Sequence, residues 1–453
     1  MSRQIDFSRV GPRVVLGACI ATVVALAAVL ARVGSDAQWL AALGHVIVVS
    51  HRVPAGLPFA VAPTSHWPNS LVLAELIFEG LEWGFGDRGL MLAQLLAVTG
   101  ALLLLARDAR KGGADAFGTS GALLLAALGC LQALAIARVQ MFSLVLFPAL
   151  VLLLRAQTRA PSRRLWLAVP LLALWSNLHG GALLGLGLVL AYLVFERGRR
   201  EPWLAVGVGA ASILALSLTP ALGRTPAYYA GLMSNAAAQR GQGLWGPLSL
   251  SSPFDLLLLA TAILLGTRMW RARASLWEWS VVAALAILTV HADRNGVWLL
   301  FFLVGPAARA LAPVRSLQRL VPIAGVAGAA VIAIALTRGP VPTGASSSLV
   351  NSAVALAHGS PVLADGTIDE QVALAGGRIW AGDPIDAFSH SVQNAYLDWI
   401  SGDRDGASAL APAVHVVLVS RGTQTQELMA RMPGFVAAQS SGDAVIYERE
   451  VNG

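Results

Sequence analysis

Charge is scarce in this sequence: 13% of its 453 residues are charged, against 56% that are hydrophobic. Soluble globular chains carry about a quarter charged residues, so this scarcity excludes an ordinary soluble domain and indicates a membrane protein. Cysteine is almost missing too. Cys19 and Cys130 are the only two, and both fall inside apolar runs. They exclude a disulfide-stapled exported module and a thiolate metal cluster, and read as core packing. Strict apolar–polar alternation is also lacking, which excludes a transmembrane β-barrel.

Long apolar runs are what the chain has instead. They lie near 14–33, 88–106, 119–137, 139–154, 165–178, 180–195, 203–219, 254–270, 276–291, 296–312 and 320–337. Most of them, at roughly 16 to 20 residues, are long enough to cross a hydrocarbon core of roughly 30 Å as helices. The net charge of +7 invites a nucleic-acid reading, but its distribution refuses it. From Arg338 onward there are 12 acidic and 6 basic residues, so the positive charge sits in the short loops between apolar runs.

Those loops alternate. One set holds Arg3, Arg9 and Arg13, then Arg107, Arg110 and Lys111, then Arg155, Arg159, Arg163 and Arg164. It continues with Arg197, Arg199 and Arg200, with Arg268, Arg271 and Arg273, and with Arg309, Arg315 and Arg319. The set sums to 19 basic residues, against 7 on the other side. The positive-inside rule puts the N-terminus in the cytoplasm, and an odd number of spans exports the C-terminus. The first run is long for a signal peptide and reads as an uncleaved anchor. The expected fold is an all-α polytopic membrane bundle of about 11 transmembrane helices over 1–337, with a first extracytoplasmic loop at 34–87. A small extracytoplasmic α/β domain occupies 338–453. Its expected elements are strands at 360–364, 414–420, 435–439 and 444–449, and helices at 383–400 and 423–432. Two further helices are expected in the first loop: 36–49 on the membrane surface, and 69–83, where Glu75, Glu79 and Glu82 share one face.

With this topology, polar groups gather at the outer leaflet. Asp36 follows the first span; Arg138 and Gln140 lie in the next outer turn; Asn177 and His179 in another; Asp293, Arg294 and Asn295 in a fourth. A carboxylate, an imidazole and guanidinium groups at one depth suit lipid-phosphate chemistry: the acid takes a proton from a hydroxyl, and the cations neutralise a phosphate leaving group. Each has a plainer reading. Arg138, Arg224 and Arg294 fit arginines that snorkel to head groups. Asp36 fits a cap for the helix starting at Ala37. His179 fits a turn residue, and the acidic face of 75–82 the wet side of an interfacial helix.

The motifs resemble those of the GT-C-type membrane glycosyltransferases. The resemblance rests on Asp36-x-x-Trp39, Arg52-Val53-Pro54, Trp67-x-Asn69 leading to Glu75, Arg138-Val139-Gln140, Asp293-Arg294-Asn295 and, most specific, Trp175-x-Asn177-x-His179-Gly180. It spans nearly the whole chain, including Val362–Gly366 and Ala444–Arg449 in the tail. It implies a GT-C-like fold and inverting transfer of a sugar from a polyprenyl-phosphate donor to an envelope glycan, lipid or protein acceptor. The implied catalytic residues are Asp36 and Glu75. The implied substrate and phosphate ligands are Arg52, Arg138, Gln140, Asn177, His179 and Arg294. Relatives often carry a histidine after the first motif and a His-Glu-Trp triplet; here Trp39-Leu40-Ala41 and Ser70-Leu71-Val72 stand instead. That departure keeps a non-catalytic membrane scaffold or lipid-handling protein as the alternative. A secondary transporter ranks third, because transporters place their sites near the midplane. No cofactor is firmly implied, a divalent cation is left open, and the expected partners are the lipid-linked donor, the acceptor and membrane lipids, with no nucleic acid. The expected location is the bacterial plasma membrane.

Overall fold

A computed structural model of the protein describes residues 11–311 and 321–450. Arg3, Arg9, Arg315 and Arg319, used above to orient the chain, lie outside the described residues. The helices, in chain order, are α1 (Pro12–Val29), α2 (Ala37–Ser50), α3 (Val72–Phe85), α4 (Asp87–Lys111), α5 (Ala116–Gly129), α6 (Leu131–Ala135) and α7 (Gln140–Arg159). They continue with α8 (Ala168–Ser176), α9 (Ala182–Tyr192), α10 (Pro202–Leu216), α11 (Thr225–Ser234), α12 (Ala236–Arg240), α13 (Pro253–Arg271), α14 (Leu276–His291), α15 (Gly296–Ala308) and α16 (Val321–Arg338). The last four are α17 (Ser347–Leu356), α18 (Ile368–Leu374), α19 (His390–Ile400) and α20 (Gln424–Met429). Five of them, α1, α4, α7, α13 and α16, are long and apolar enough to cross a membrane. The chain is that of an integral membrane protein.

Two compact units form. The first draws on residues up to Arg32, on Met91–Leu216 and on Gly243–Val341; the second on Val33–Leu90, Ser217–Gln242 and the chain from Pro342.

In the first unit small residues let helices close in on each other. A Cβ on Gly328 would lie 2.9 Å from the carbonyl carbon of Ala21, so α1 and α16 touch almost backbone to backbone. All 13 residues of α15 are buried, which makes it the centre of the bundle. Cys19 and Cys130 are buried and free, packed as apolar side chains. Arg155, counted above as a loop cation, is not in a loop. Helix α7 runs on to Arg159, so Arg155 turns inward and donates to Asp108 (2.6 Å), Glu278 (2.9 Å) and the Phe302 carbonyl (2.8 Å). Glu278 also closes the capping box of α14 with Ser275, so one carboxylate serves a helix end and a buried cation.

In the second unit α2 packs on α3 at Gly44, where an added Cβ would stand 2.2 Å from the Glu75 carbonyl oxygen. Expected to lie on the membrane surface, α2 instead buries Trp39, Leu40, Leu43 and Ile47 inside its unit. The acidic face of α3 is not its wet face. Glu75 is 0% exposed, while Leu73, Leu76, Trp83 and Phe85 point outward, Trp83 at 83%. The acids turn inward because that side meets α2.

The tail builds a four-stranded mixed sheet from β1 (Val362–Ala364), β2 (Val416–Ser420), β3 (Phe435–Ser441) and β4 (Ala444–Arg449), in the order β1-β2-β4-β3. β1 runs parallel to β2; the other pairs are antiparallel. The first loop joins it: Ile379 bridges Val362 on one side and Ala60 on the other, with Val61 N–H donating to the Ile379 carbonyl at 2.9 Å. The 217–242 segment docks on α19, where Arg240 donates to Asp398 at 2.6 Å and to Asn394 at 2.7 Å. Two helices, α17 and α18, were not expected. The expected helix 383–400 starts only at His390: Pro384 lacks an amide donor, and 383–389 is a loop with one 3-10 turn at Ile385–Ala387. That loop matters below.

Candidate functional site

Asp36 occupies the N-cap position of α2 but does not cap it. Its backbone is left-handed, φ 76°, and its side chain makes no cap hydrogen bond. Glu370, from α18, caps instead. Its Oε1 accepts from Asp36 N–H at 2.8 Å, and its Oε2 from Gln38 N–H at 3.0 Å and Trp39 N–H at 3.2 Å. Three orphan donors of the helix end are thus satisfied from 334 residues away in sequence. The Asp36 carboxylate is left to accept from the Trp39 indole N–H at 3.3 Å. Capping is therefore not its role.

A second indole does the same for a second acid. Trp67 Nε1 donates to Asp386 Oδ2 at 2.9 Å, and the two tryptophan rings meet edge to face, 6.2 Å apart. Burial raises the Asp386 carboxyl to about 6, and Asp36 adds to the rise. Asp383, in the same loop, is raised to about 7 by burial and by Asp36 and Asp386, and it shares a hydrogen bond with Glu370. Glu75 accepts from Asn69 Nδ2 at 2.9 Å, and burial raises it to about 8. Burial, then the neighbouring Asp386, Tyr229, Asp36 and Glu75, push the Tyr228 hydroxyl well above the ordinary range. Of the expected residues in this unit, Asp36 and Glu75 both act on Tyr228. Arg52 does not join them: it is exposed just past the far end of α2, a 14-residue helix and so roughly 20 Å from Asp36.

Glu370, Asp383 and Asp386 are not among the candidate residues singled out in the sequence. The signal that could have found them is Gly382-Asp383-Pro384-Ile385-Asp386, an acidic loop inside a region read as helix. Along the Glu79 and Glu82 side of α3 the unit holds a cavity of about 460 Å³ lined by His45, Phe59, Trp83 and Arg378, with none of the clustered acids in its lining. Among the described residues no group of three or more His, Cys, Asp or Glu residues is arranged to hold a metal ion.

The first unit carries the cationic set. Arg138 is 8% exposed and its guanidinium donates to Gln140 Oε1, with Nε at 2.8 Å; it does not snorkel. Arg294 stacks on Trp245, 3.7 Å from the ring centroid. His179 lies in the turn between α8 and α9. Its Nδ1 accepts from Gly181 N–H at 3.2 Å and meets Ser143 Oγ at 2.6 Å, and Ser143 in turn accepts from Trp175 Nε1 at 2.6 Å. This assigns the ring proton to Nε2. Burial, then Arg138 and Arg294, hold the imidazole down at about 3, so the ring is neutral at physiological pH. Arg138, Gln140, His179 and Arg294 therefore form one cluster. Asn177 donates to the Ala173 carbonyl at 2.8 Å, a contact at the end of α8.

No protein-family profile matches the sequence, and no curated protein matches it. Solved structures do match. The crystal structure of ArnT from Cupriavidus metallidurans bound to undecaprenyl phosphate is 14% identical, covers 96% of this chain and 97% of its own, and superposes with a TM-score of 0.56. This is a GT-C-type fold. ArnT in the apo state gives 0.51 at the same coverage. A weaker likeness, TM-score 0.49, is to the arabinofuranosyltransferase AftD from Mycobacteria, of which 42% is covered. Within the GT-C fold, the Trp-x-Asn-x-His-Gly motif of the sequence is the turn that aims His179, with its own tryptophan fixing the ring through Ser143.

Proposed function

We propose that the protein transfers a sugar from a polyprenyl-phosphate carrier to an acceptor at the outer face of the plasma membrane. The observation that carries this reading is Asp36: a buried glutamate relieves it of capping, and its carboxylate is held by an indole beside further acids. In a chain with the GT-C fold, that is the arrangement a general base needs. In the second unit Asp36 accepts the proton of the attacking hydroxyl; in the first unit Arg138 and Arg294 are the cations suited to a lipid phosphate. His179, being neutral, contributes an Nε2–H hydrogen bond instead of a charge. The ArnT structure, bound to undecaprenyl phosphate, supports a lipid-phosphate donor.

The accompanying topology has 11 spans, the shorter apolar helices α5, α10 and α14 crossing with the five long ones, and α8, α9 and α15 completing the set. The N-terminus is cytoplasmic, and the sheet and helices from 338 onward form an exported α/β domain.

The test is Asp36→Asn in the full-length protein in nanodiscs, assayed for release of undecaprenyl phosphate from a panel of undecaprenyl-phosphate-linked sugars. Loss of roughly 10²–10⁴ in rate with the fold intact is expected. Full activity in Asp36→Asn sinks the assignment. No release by the wild type from any donor on the panel would favour the scaffold.

A further inference from the structure

Asp36 holds a position that a residue of its type does not hold unaided. Aspartate at the start of a helix ordinarily turns its carboxylate onto the second or third helical amide, with an extended backbone. Here the backbone is left-handed, φ 76°, instead of extended. The amides it would have capped are occupied. Both oxygens of Glu370 are used on them, and Glu370 is 1% exposed. Two further contacts fix Glu370 itself. Asp383 shares a hydrogen bond with it, and the preceding Asp369 accepts from the backbone N–H groups of Glu370 (2.6 Å) and Asp383 (2.7 Å). A Cβ at Gly382 would strike Asp369 Oδ2 at 1.6 Å, so this loop closes on the acids with no room to spare.

We infer that Glu370 is a positioning residue for Asp36: by taking over the cap of α2 it keeps the Asp36 carboxylate on Trp39 and available to substrate. The inference rests on the proposed role of Asp36 as base. It gives the tail a part in the chemistry although no tail residue need touch the reacting atoms. It also explains an apparent excess of buried acids, since Glu370 serves the helix end, Asp383 and Asp369 hold Glu370, and Asp36 remains for the hydroxyl. Were Glu370 removed, the two helical amides would be orphaned, and the nearest acceptor is Asp36 itself, which would swing inward.

The experiment is a double-mutant cycle in the full-length protein, read by undecaprenyl phosphate release, combined with a structure of Glu370→Ala. Glu370→Ala should slow release about 10²-fold when Asp36 is present, the order expected for a reacting group displaced by an ångström or more. In the Asp36→Asn background the same change should cost less than about 2-fold, because the group it positions is already gone. Glu370→Gln, with one acceptor oxygen for three amides, should fall between. In the Glu370→Ala structure the Asp36 carboxylate should lie on the Gln38 or Trp39 amide. Equal losses in both backgrounds, an undiminished rate in Glu370→Ala, or an Asp36 that keeps its place in that structure would each overturn the inference. A wild type that releases nothing would count against glycosyl transfer alone, and the Glu370→Ala structure would then decide the positioning by itself.

Discussion

Glu75 shows what burial does to a single group. One of its oxygens accepts from Asn69, and the other is buried with no hydrogen-bond partner. With its carboxyl raised from 4.5 to about 8, the folded protein binds this proton more tightly than the unfolded chain. The resulting stability is fully present below the unfolded value and is lost as pH rises through the folded one. Glu75→Gln keeps the shape and the Asn69 contact without a group to ionise. It should flatten the pH dependence of the melting temperature between about pH 5 and about pH 8, and raise the melting temperature at the alkaline end. Parallel melting curves for mutant and wild type would show that Glu75 carries no such penalty. Among single residues, Asp36, Arg138 and His179 were legible in the sequence because motif and turn position marked them. Their surroundings were not. Nothing local says that His179 is neutral, since that depends on its burial and on Arg138 and Arg294 beside it.

Helices α2 and α3 make the corresponding point for elements. Their close approach requires Gly44, because the atoms an added methyl would meet are mostly backbone of α3, at 2.2 and 2.7 Å. Backbone cannot rotate away as a side chain can. Gly44→Ala should therefore force the helices apart, destabilising the unit by roughly 1–3 kcal/mol, the usual cost of overpacking. Thermal unfolding would report it, and an unchanged melting temperature would mean the contact is loose. The helical period of Glu75, Glu79 and Glu82 was legible, but the direction of that face was not. Periodicity locates a stripe; only the neighbour decides whether polar or apolar goes inward. The same holds for 383–400, where an amphipathic pattern extended the expected helix over Pro384 and hid the loop that carries Asp383 and Asp386.

For the molecule as a whole, the proposed orientation rests on charge asymmetry. The exposed tryptophans Trp166, Trp203 and Trp270 accompany the arginine-rich turns, as interfacial anchors do. A thiol probe applied to intact cells should label Ser347→Cys and leave Ala160→Cys unlabelled; both positions are exposed, and the two native cysteines are buried. Labelling of Ala160→Cys alone would reverse the topology. Arg155 is a warning about such counts, since it contributes to the asymmetry in sequence yet is neutralised inside the bundle by Asp108 and Glu278.

The sequence by itself determined that this is a membrane protein, where its apolar helices run, and which turns carry polar residues, because length, hydropathy and helical period are local properties of the chain. It also marked Asp36, Glu75 and His179 as residues to watch. Only the tertiary structure decided that the first loop and 217–242 belong with the tail, that Glu370 caps α2, and that Asp383 and Asp386 stand near Asp36. Those relations join residues more than 300 positions apart. They depend on which buried donors and acceptors find each other once the chain has folded, and no pattern along the chain records that.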